Sequence, residues 1–305
     1  MIKQRATTAD LKSPVVAIGT FDGVHVGHQK IIAQAQSVAR RNKRPVLVVT
    51  FDPHPQHVVH PKRHLHMLTL LPERLEELYA LGVDEVVVLP FNRRMMKLSA
   101  AEFTEQFLVN TLHLSELFVG YDFHFGHNRQ GHAEELQKLG KKFRFRVHVM
   151  DPIRKGASIV KSSAIRDFLN NGAVEKAAKL LGRPYVLAGR VGEGAHRGSR
   201  LGIPTANLEI PAAKLIPADG VYAGMARLDD RWFPCVINVG KRPTFGGHKR
   251  IVEVHLIGKK IHIRDSWLTV TFAARLRGEI KFKNAPALVA QIRKDIARAR
   301  AILKS

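Results

Sequence analysis

Gly19-Thr20-Phe21-Asp22-Gly23-Val24-His25-Val26-Gly27-His28 joins an apolar run, Val15-Val16-Ala17-Ile18, to a segment with Ile31, Ala35, Val38 and Ala39 on one helical face. A strand that enters a helix through a glycine-punctuated turn is the opening unit of a parallel, doubly wound sheet. The alternation continues outward. Val46-Leu47-Val48-Val49 reads as a second strand, Pro72 opens a helix carrying Leu75 and Leu78 that Gly82 ends, and Val86-Val87-Val88-Leu89 is a third strand. Ser99-Ala100-Ala101-Glu102 is a capping box ahead of inward Phe103 and Phe107, and Leu117-Phe118-Val119 and Val147-His148-Val149 supply two more strands. Strands that are apolar throughout imply helices on both faces of the sheet.

After Gly182-Arg183-Pro184 the rhythm changes. Short strand-like runs cover Tyr185 to Val191, Val221 to Leu228, Trp232 to Val239, Ile251 to Ile257 and Trp267 to Phe272, separated by turns such as Asp229-Asp230 and Gly246-Gly247. Closely spaced strands without helices between them imply a small antiparallel barrel. A stripe of Leu288, Ile292, Ile296, Ala299 and Leu303 makes a closing helix. The expected fold is therefore α/β: a Rossmann-like doubly wound domain over residues 1–182, then a β-barrel domain with a terminal helix over 183–305.

Each half of a 305-residue chain is large enough to bury its own core. No apolar run approaches the ~20 residues that cross a bilayer. Met1 to Lys12 is polar, so no export signal is read and a cytoplasmic setting is expected, without a membrane partner. The single cysteine, Cys235, excludes an intrachain disulfide and lies in an apolar run, where it reads as a small core residue. The formal net charge of +23 attracts polyanions and equally gathers small anionic substrates. Zinc-finger spacing and the aromatic-basic repeat of an RNA-recognition motif are both missing, so no specific nucleic-acid partner is expected.

The Gly19–His28 string sits where strand one meets helix one, at the ligand-binding end of a doubly wound sheet. A helix start there offers N–H groups and partial positive charge to phosphate. Gly23 and Gly27 admit close backbone approach, and His25 and His28, three apart, can both donate to charge developing on one phosphate. The bland alternative is a strand–helix turn with incidental histidines. Ser162-Ser163-Ala164-Ile165-Arg166 lies at another expected helix start, where hydroxyls, N–H groups and an arginine suit a triphosphate, or merely cap a helix. Together the two strings resemble the H-x-G-H and S-S-x-x-x-R pair of the nucleotidyltransferase superfamily.

A closer resemblance covers nearly the whole chain. The Gly19–His28 string, Thr50-Phe51-Asp52-Pro53-His54-Pro55, and Val119-Gly120-Tyr121-Asp122-Phe123-His124-Phe125-Gly126 with Arg129 and Gly131 stand in the first half. Arg197-Gly198, Leu201-Gly202-Ile203-Pro204-Thr205-Ala206-Asn207-Leu208, Gly220-Val221-Tyr222-Ala223, Asn238-Val239-Gly240 with Arg242-Pro243-Thr244, and Val252-Glu253-Val254-His255-Leu256 stand in the second. This ordered set resembles the bacterial bifunctional riboflavin kinase/FMN adenylyltransferase family, also called FAD synthetase. The resemblance implies an enzyme that phosphorylates riboflavin to FMN with ATP in the barrel. It then adenylylates FMN to FAD with a second ATP in the first domain, releasing pyrophosphate. It implies His25 and His28 on the ATP phosphates in adenylyl transfer, with Gly19, Phe21, Gly27, Ser162, Ser163 and Arg166 around the nucleotide. His54, Pro55 and Asp122 would line the FMN side. Thr205 and Asn207 would hold Mg²⁺, and Glu253 would be the general base of the kinase.

Three positions depart from the family pattern. Lys161 replaces a serine before Ser162, Glu193 stands where many relatives have histidine, and the acidic hairpin after Ile257 is shortened to Gly258-Lys259-Lys260. His54, His57, His60, His64 and His66 lack a strict ligand spacing, so a metal site is not read there. Phe123 and Phe125, two apart on a strand, share a side and fit either core or a flavin face. The rival readings are a nucleotidyltransferase for another substrate, a class I aminoacyl-tRNA synthetase, and a basic nucleic-acid-binding protein on the same fold. The first two leave the barrel motifs unexplained, and nucleic-acid binding tighter than substrate binding and dependent on salt would favour the third.

Overall fold

A computed structural model describes residues 12–156, 158–192, 203–244, 247–259 and 266–304. The chain divides into two compact units, Met1–Ser162 and Ser163–Ser305. The first contains β1 (Val15–Ile18), α1 (Val26–Asn42), β2 (Val46–Asp52), α2 (Pro55–Val59), α3 (Leu71–Ala80), β3 (Glu85–Pro90), α4 (Arg93–Met96), α5 (Ala100–Phe103), β4 (Glu116–Gly120), α6 (Ala133–Phe143), β5 (Arg146–Met150), β6 (Arg154–Lys155) and β7 (Ser158–Ile159). The first five strands form one parallel sheet in the order β3-β2-β1-β4-β5, as the strand–helix alternation requires.

Successive strand residues point to opposite faces, and both faces are covered. Val15, Ala17, Val46 and Val48 pack with Ile31, Ile32, Ala35 and Ala39 of α1 and Leu78 of α3. Val16, Ile18, Leu47 and Val49 pack on the other side with Phe103, Leu108, Leu112 and Leu136. The Ser99 capping box is formed in both directions, Ser99 N–H donating to Glu102 Oε2 at 2.8 Å and Glu102 N–H to Ser99 Oγ at 3.2 Å. The helix it starts differs from the expectation: after Phe103 it widens into a π-helix over Thr104–Val109, within which Phe107 stays 5.5 Å from the Phe103 ring. Phe125 is buried against Phe103, with Phe123 stacked on Phe125 at 5.6 Å, which makes this pair part of the core.

The second unit takes up α7 (Ser162–Asn170) after its first residue and continues through α8 (Val174–Leu181), β8 (Tyr185–Gly192), β9 (Ala206–Glu209), β10 (Gly220–Leu228), β11 (Arg231–Thr244), β12 (Gly247–Leu256), β13 (Trp267–Arg277) and α9 (Ala285–Lys304). The strands close into a barrel in the order β10-β11-β12-β9-β8-β13. Leu187, Tyr222, Ile237, Val270 and Phe272 are fully buried, with Tyr222 and Phe272 edge to face at 5.2 Å. Ile296 and Ala299 of α9 cover Val221, Ala223 and Val236, and an ion pair from Arg277 to Asp295 at 2.8 Å fixes that helix. Ala218 N–H donates to Leu169 O at 2.9 Å, and Arg275 N–H to Glu175 Oε1 at 2.9 Å. By their contacts α7 and α8 thus go with the barrel, ahead of the change of rhythm at Gly182. Cys235 is buried, and burial pushes its thiol far up, so it behaves as an inert core group.

Candidate active sites

With strand order β3-β2-β1-β4-β5, the chain reverses direction across the sheet between β1 and β4, and ligands bind outside the carboxyl ends of such strands. The Gly19–His28 turn leaves β1 at this place, and Asp122 follows β4. The turn is strained: Phe21, Gly23 and Val24 have φ of +49°, +85° and +39°. A β-branched residue at positive φ costs about 1–3 kcal/mol. Fixed hydrogen bonds hold it there. The buried Asp22 carboxylate accepts from the amides of Leu68 and Thr69, both at 3.0 Å, and Gly23 N–H donates to Thr69 Oγ1 at 2.9 Å. Gln29 Nε2 donates to Val24 O at 2.9 Å, and Ser162 Oγ to Asp22 O at 2.9 Å. Replacing Asp22 with alanine leaves the Leu68 and Thr69 amides buried without this acceptor. The expected outcome is a loss of about 2–3 kcal/mol, measured by denaturant unfolding.

His25 is the N-cap of α1. Its Nδ1 accepts from His28 N–H at 3.3 Å, which leaves the ring proton on Nε2. The capping and phosphate-binding readings are therefore compatible. The two imidazoles stack 3.6 Å apart at 14°, with Phe21 edge-on to His28 at 5.0 Å. Gly27 makes room for this: a Cβ there would stand 3.0 Å from the His25 ring. His28 is half-buried, and its Nδ1 is sealed without a partner. Burial first, then His25, then Arg74 hold its pKa well below the ordinary value, so the ring is neutral at pH 7. The neutral tautomer that buries no N–H at Nδ1 carries its proton on Nε2. A neutral His28 ring with an Nε2–H donor, stacked on His25 at a helix N-terminus, suits charge developing on a phosphate.

The remaining expected residues of this half are distributed as follows. Gly19 ends β1, its N–H donating to Val49 O at 3.1 Å. The Phe21 side chain is core, 0% exposed, and supports His28 from below. Ser162 is tied to the turn through Asp22, while Ser163 and Arg166 continue α7 into the second unit. His54 is buried and caps α2, Nδ1 accepting from Gln56 N–H at 3.2 Å, with Pro55 as the first helical residue. Asp122 is exposed, and its backbone carbonyl accepts from the His124 ring at 2.8 Å. His57 Nε2 bonds the Leu65 carbonyl at 2.8 Å, and among the described residues no three His, Cys, Asp or Glu side chains converge as a metal would need.

In the barrel, register brings the expected residues to one row. Glu253 of β12 lies opposite Asn207 of β9 on one side and Asn238 of β11 on the other, and Asn238 Nδ2 donates to Glu253 Oε2 at 3.4 Å. Val252, Val254 and Leu256 are buried, so Glu253 and His255 share the opposite face. His255 Nδ1 bonds Pro204 O at 2.9 Å, beside exposed Thr205. A side chain at Gly240 would collide with the Glu279 carboxylate, so a second acid overlooks the row. The donors here are amide, hydroxyl and carboxylate oxygens, the hard set that Mg²⁺ prefers. Glu193 and the segment 260–265 after the shortened hairpin lie outside the described residues.

The sequence profile of the FAD synthetase family matches residues 7–164, and that of the riboflavin kinase family matches 181–303. The chain belongs to the bifunctional riboflavin kinase/FMN adenylyltransferase family. A family member from Pseudomonas fluorescens is 38% identical over 94% of this chain and 92% of its own length. The Haemophilus influenzae member is 37% identical over 97% and 96%. A solved structure from Streptococcus pneumoniae superimposes with a TM-score of 0.88 at 30% identity, covering 96% of this chain and 97% of that one. That protein is described as a macrolide-efflux protein. Among the described residues of this chain no helix is long and apolar enough to cross a membrane.

Asp22, Arg74 and Asn238 are site-shaping residues that the motif reading leaves without a role. Asp22 lies in the Gly19–His28 string and Asn238 in Asn238-Val239-Gly240, so position is a signal for both. Arg74 stands in no motif.

Proposed function

We propose that residues 183–305 transfer the γ-phosphoryl of ATP to riboflavin, and that residues 1–182 transfer the adenylyl group of a second ATP to the FMN so formed. The observation that carries this is one chain with two differently equipped sites: stacked histidines at a strand–helix turn, and a carboxylate flanked by asparagines on barrel strands. In the barrel, Glu253 takes the proton of the primary ribityl hydroxyl as its oxygen bonds to the γ-phosphorus, and ADP leaves. Asn238 orients the carboxylate. Thr205 and Asn207 would hold Mg²⁺, which neutralises phosphate charge when bound.

The adenylyl-transfer nucleophile is different. The FMN phosphate has a second pKa of ~6 and is already anionic near neutral pH, so no base is needed. Its oxygen bonds to the α-phosphorus of ATP, the bond to the bridging oxygen breaks, and pyrophosphate leaves. His25, His28 and the α1 N-terminus stabilise the charge on the transferring group, with Ser162, Ser163 and Arg166 on the triphosphate and His54, Pro55 and Asp122 toward the flavin. A cytoplasmic setting, where ATP and flavins are both available, accompanies this reading.

The test is incubation of the protein with riboflavin, ATP and Mg²⁺, separating flavins over time. FMN should rise first and FAD follow, with pyrophosphate matching FAD. Supplied FMN that is never adenylylated would overturn the proposal.

A further inference from the structure

Arg74, the fourth residue of α3, heads the described side chains in size among those that are fully buried, with 1% of its surface exposed. Its Nη1 donates to Thr20 O at 2.9 Å and its Nη2 to Phe51 O at 3.1 Å, while Nε is sealed without a partner. Thr20 follows β1 and Phe51 belongs to β2, so one guanidinium joins the ends of two adjacent strands where the histidine turn begins. Thr50 Oγ1 donates to the same Thr20 carbonyl at 3.0 Å. A buried cation is costly, and burial does pull the Arg74 pKa down, while Asp22 and Asp52 act against that pull. A neutral donor could bridge two carbonyls without that cost. The charge therefore calls for a role besides packing.

We infer that Arg74 is a positioning residue of the adenylyl-transfer site: it fixes the turn that carries His25 and His28 and sets a permanent positive charge behind it. The inference rests on the adenylyltransferase reading of this half. Its consequence is specific. After burial, the neighbours that hold down the His28 pKa are His25 and then Arg74, while Asp22 and Asp52 support the charge of Arg74 against its own burial. A neighbouring cation disfavours a second one, so removing it lets His28 take up its proton at higher pH.

The test uses the full chain with Arg74→Met and Arg74→Lys. Three quantities are measured: kcat and KM for adenylylation of supplied FMN, riboflavin kinase activity on the same preparations, and the His28 ring titration by NMR. Arg74→Met should lower adenylylation kcat about 10- to 100-fold with little change in KM, because the reacting groups are misplaced rather than unbound. Its kinase activity should persist, and its His28 titration should move to higher pH. Arg74→Lys retains the charge but loses the fork that spans two carbonyls, so kcat should fall while His28 stays near its wild-type titration. Folded variants with wild-type kcat and an unmoved His28 overturn the inference. Should Arg74→Met not fold, wild-type kcat in Arg74→Lys overturns it alone. A wild-type chain unable to adenylylate FMN would instead sink the functional reading, and the His28 titration would still report the charge.

Discussion

Glu253→Gln should lower riboflavin kinase turnover by ~10²–10⁴ with only a modest change in the KM for ATP. The substitution keeps the size of the side chain and an oxygen that can still accept from Asn238 Nδ2, now 3.4 Å from the carboxylate. It removes the negative charge, and with it the capacity to take a proton. The barrel register is set by the buried Val252, Val254 and Leu256, which the change does not touch, so the strand and its row with Asn207 and Asn238 should survive. Adenylylation of supplied FMN should continue, since the histidine turn lies in the first unit and Glu253 on a barrel strand of the second. The measurement is a pair of separate assays, one started with riboflavin and one with FMN. Near-normal kinase turnover would remove Glu253 from the mechanism and turn attention to Glu279, whose carboxylate overlies Gly240.

What the sequence discloses is what local chemistry enforces. Val15–Ile18 could be read as a buried strand because every residue is apolar, and all four are 2% exposed or less. Glu253 could be read as facing away from its neighbours because period-two alternation is geometric. His25 and His28 could be placed at a helix start because strand, glycine turn and helix are consecutive. β9 escaped the apolar rhythm because Ala206–Glu209 is only four residues long and alternates with polar Asn207 and Glu209. The roles of Asp22 and Arg74 are hidden for another reason. Asp22 is satisfied by amides at Leu68 and Thr69, and Arg74 by carbonyls at Thr20 and Phe51, partners remote in sequence. Read locally, Arg74 is an ordinary charged residue on an amphipathic helix. Its burial follows from where α3 lands against the ends of β1 and β2, which only the tertiary fold decides.

His28→Ala should lower FMN adenylylation by ~10²–10³ and leave riboflavin kinase activity intact. The side chain lost is a ring whose neutral state is enforced by burial and by two neighbouring cationic or ionisable groups, so it acts as a hydrogen-bond donor and not as a fixed charge. The α1 start should persist. The bond from the residue 28 N–H to His25 Nδ1 is a backbone interaction that alanine keeps, and alanine favours the helix. What disappears is one face of the 3.6 Å imidazole stack and one N–H that the proposed mechanism directs at phosphate, a group whose value is realised as charge builds in the transition state. The loss should therefore fall mainly on kcat. His28→Gln, which retains a donor of shorter reach, should recover part of the rate. The kinase reaction on the same sample serves as the control for folding and concentration. Equal loss of both activities in a folded protein would mean that the two reactions share a site, and the division between histidine turn and barrel row would have to be abandoned.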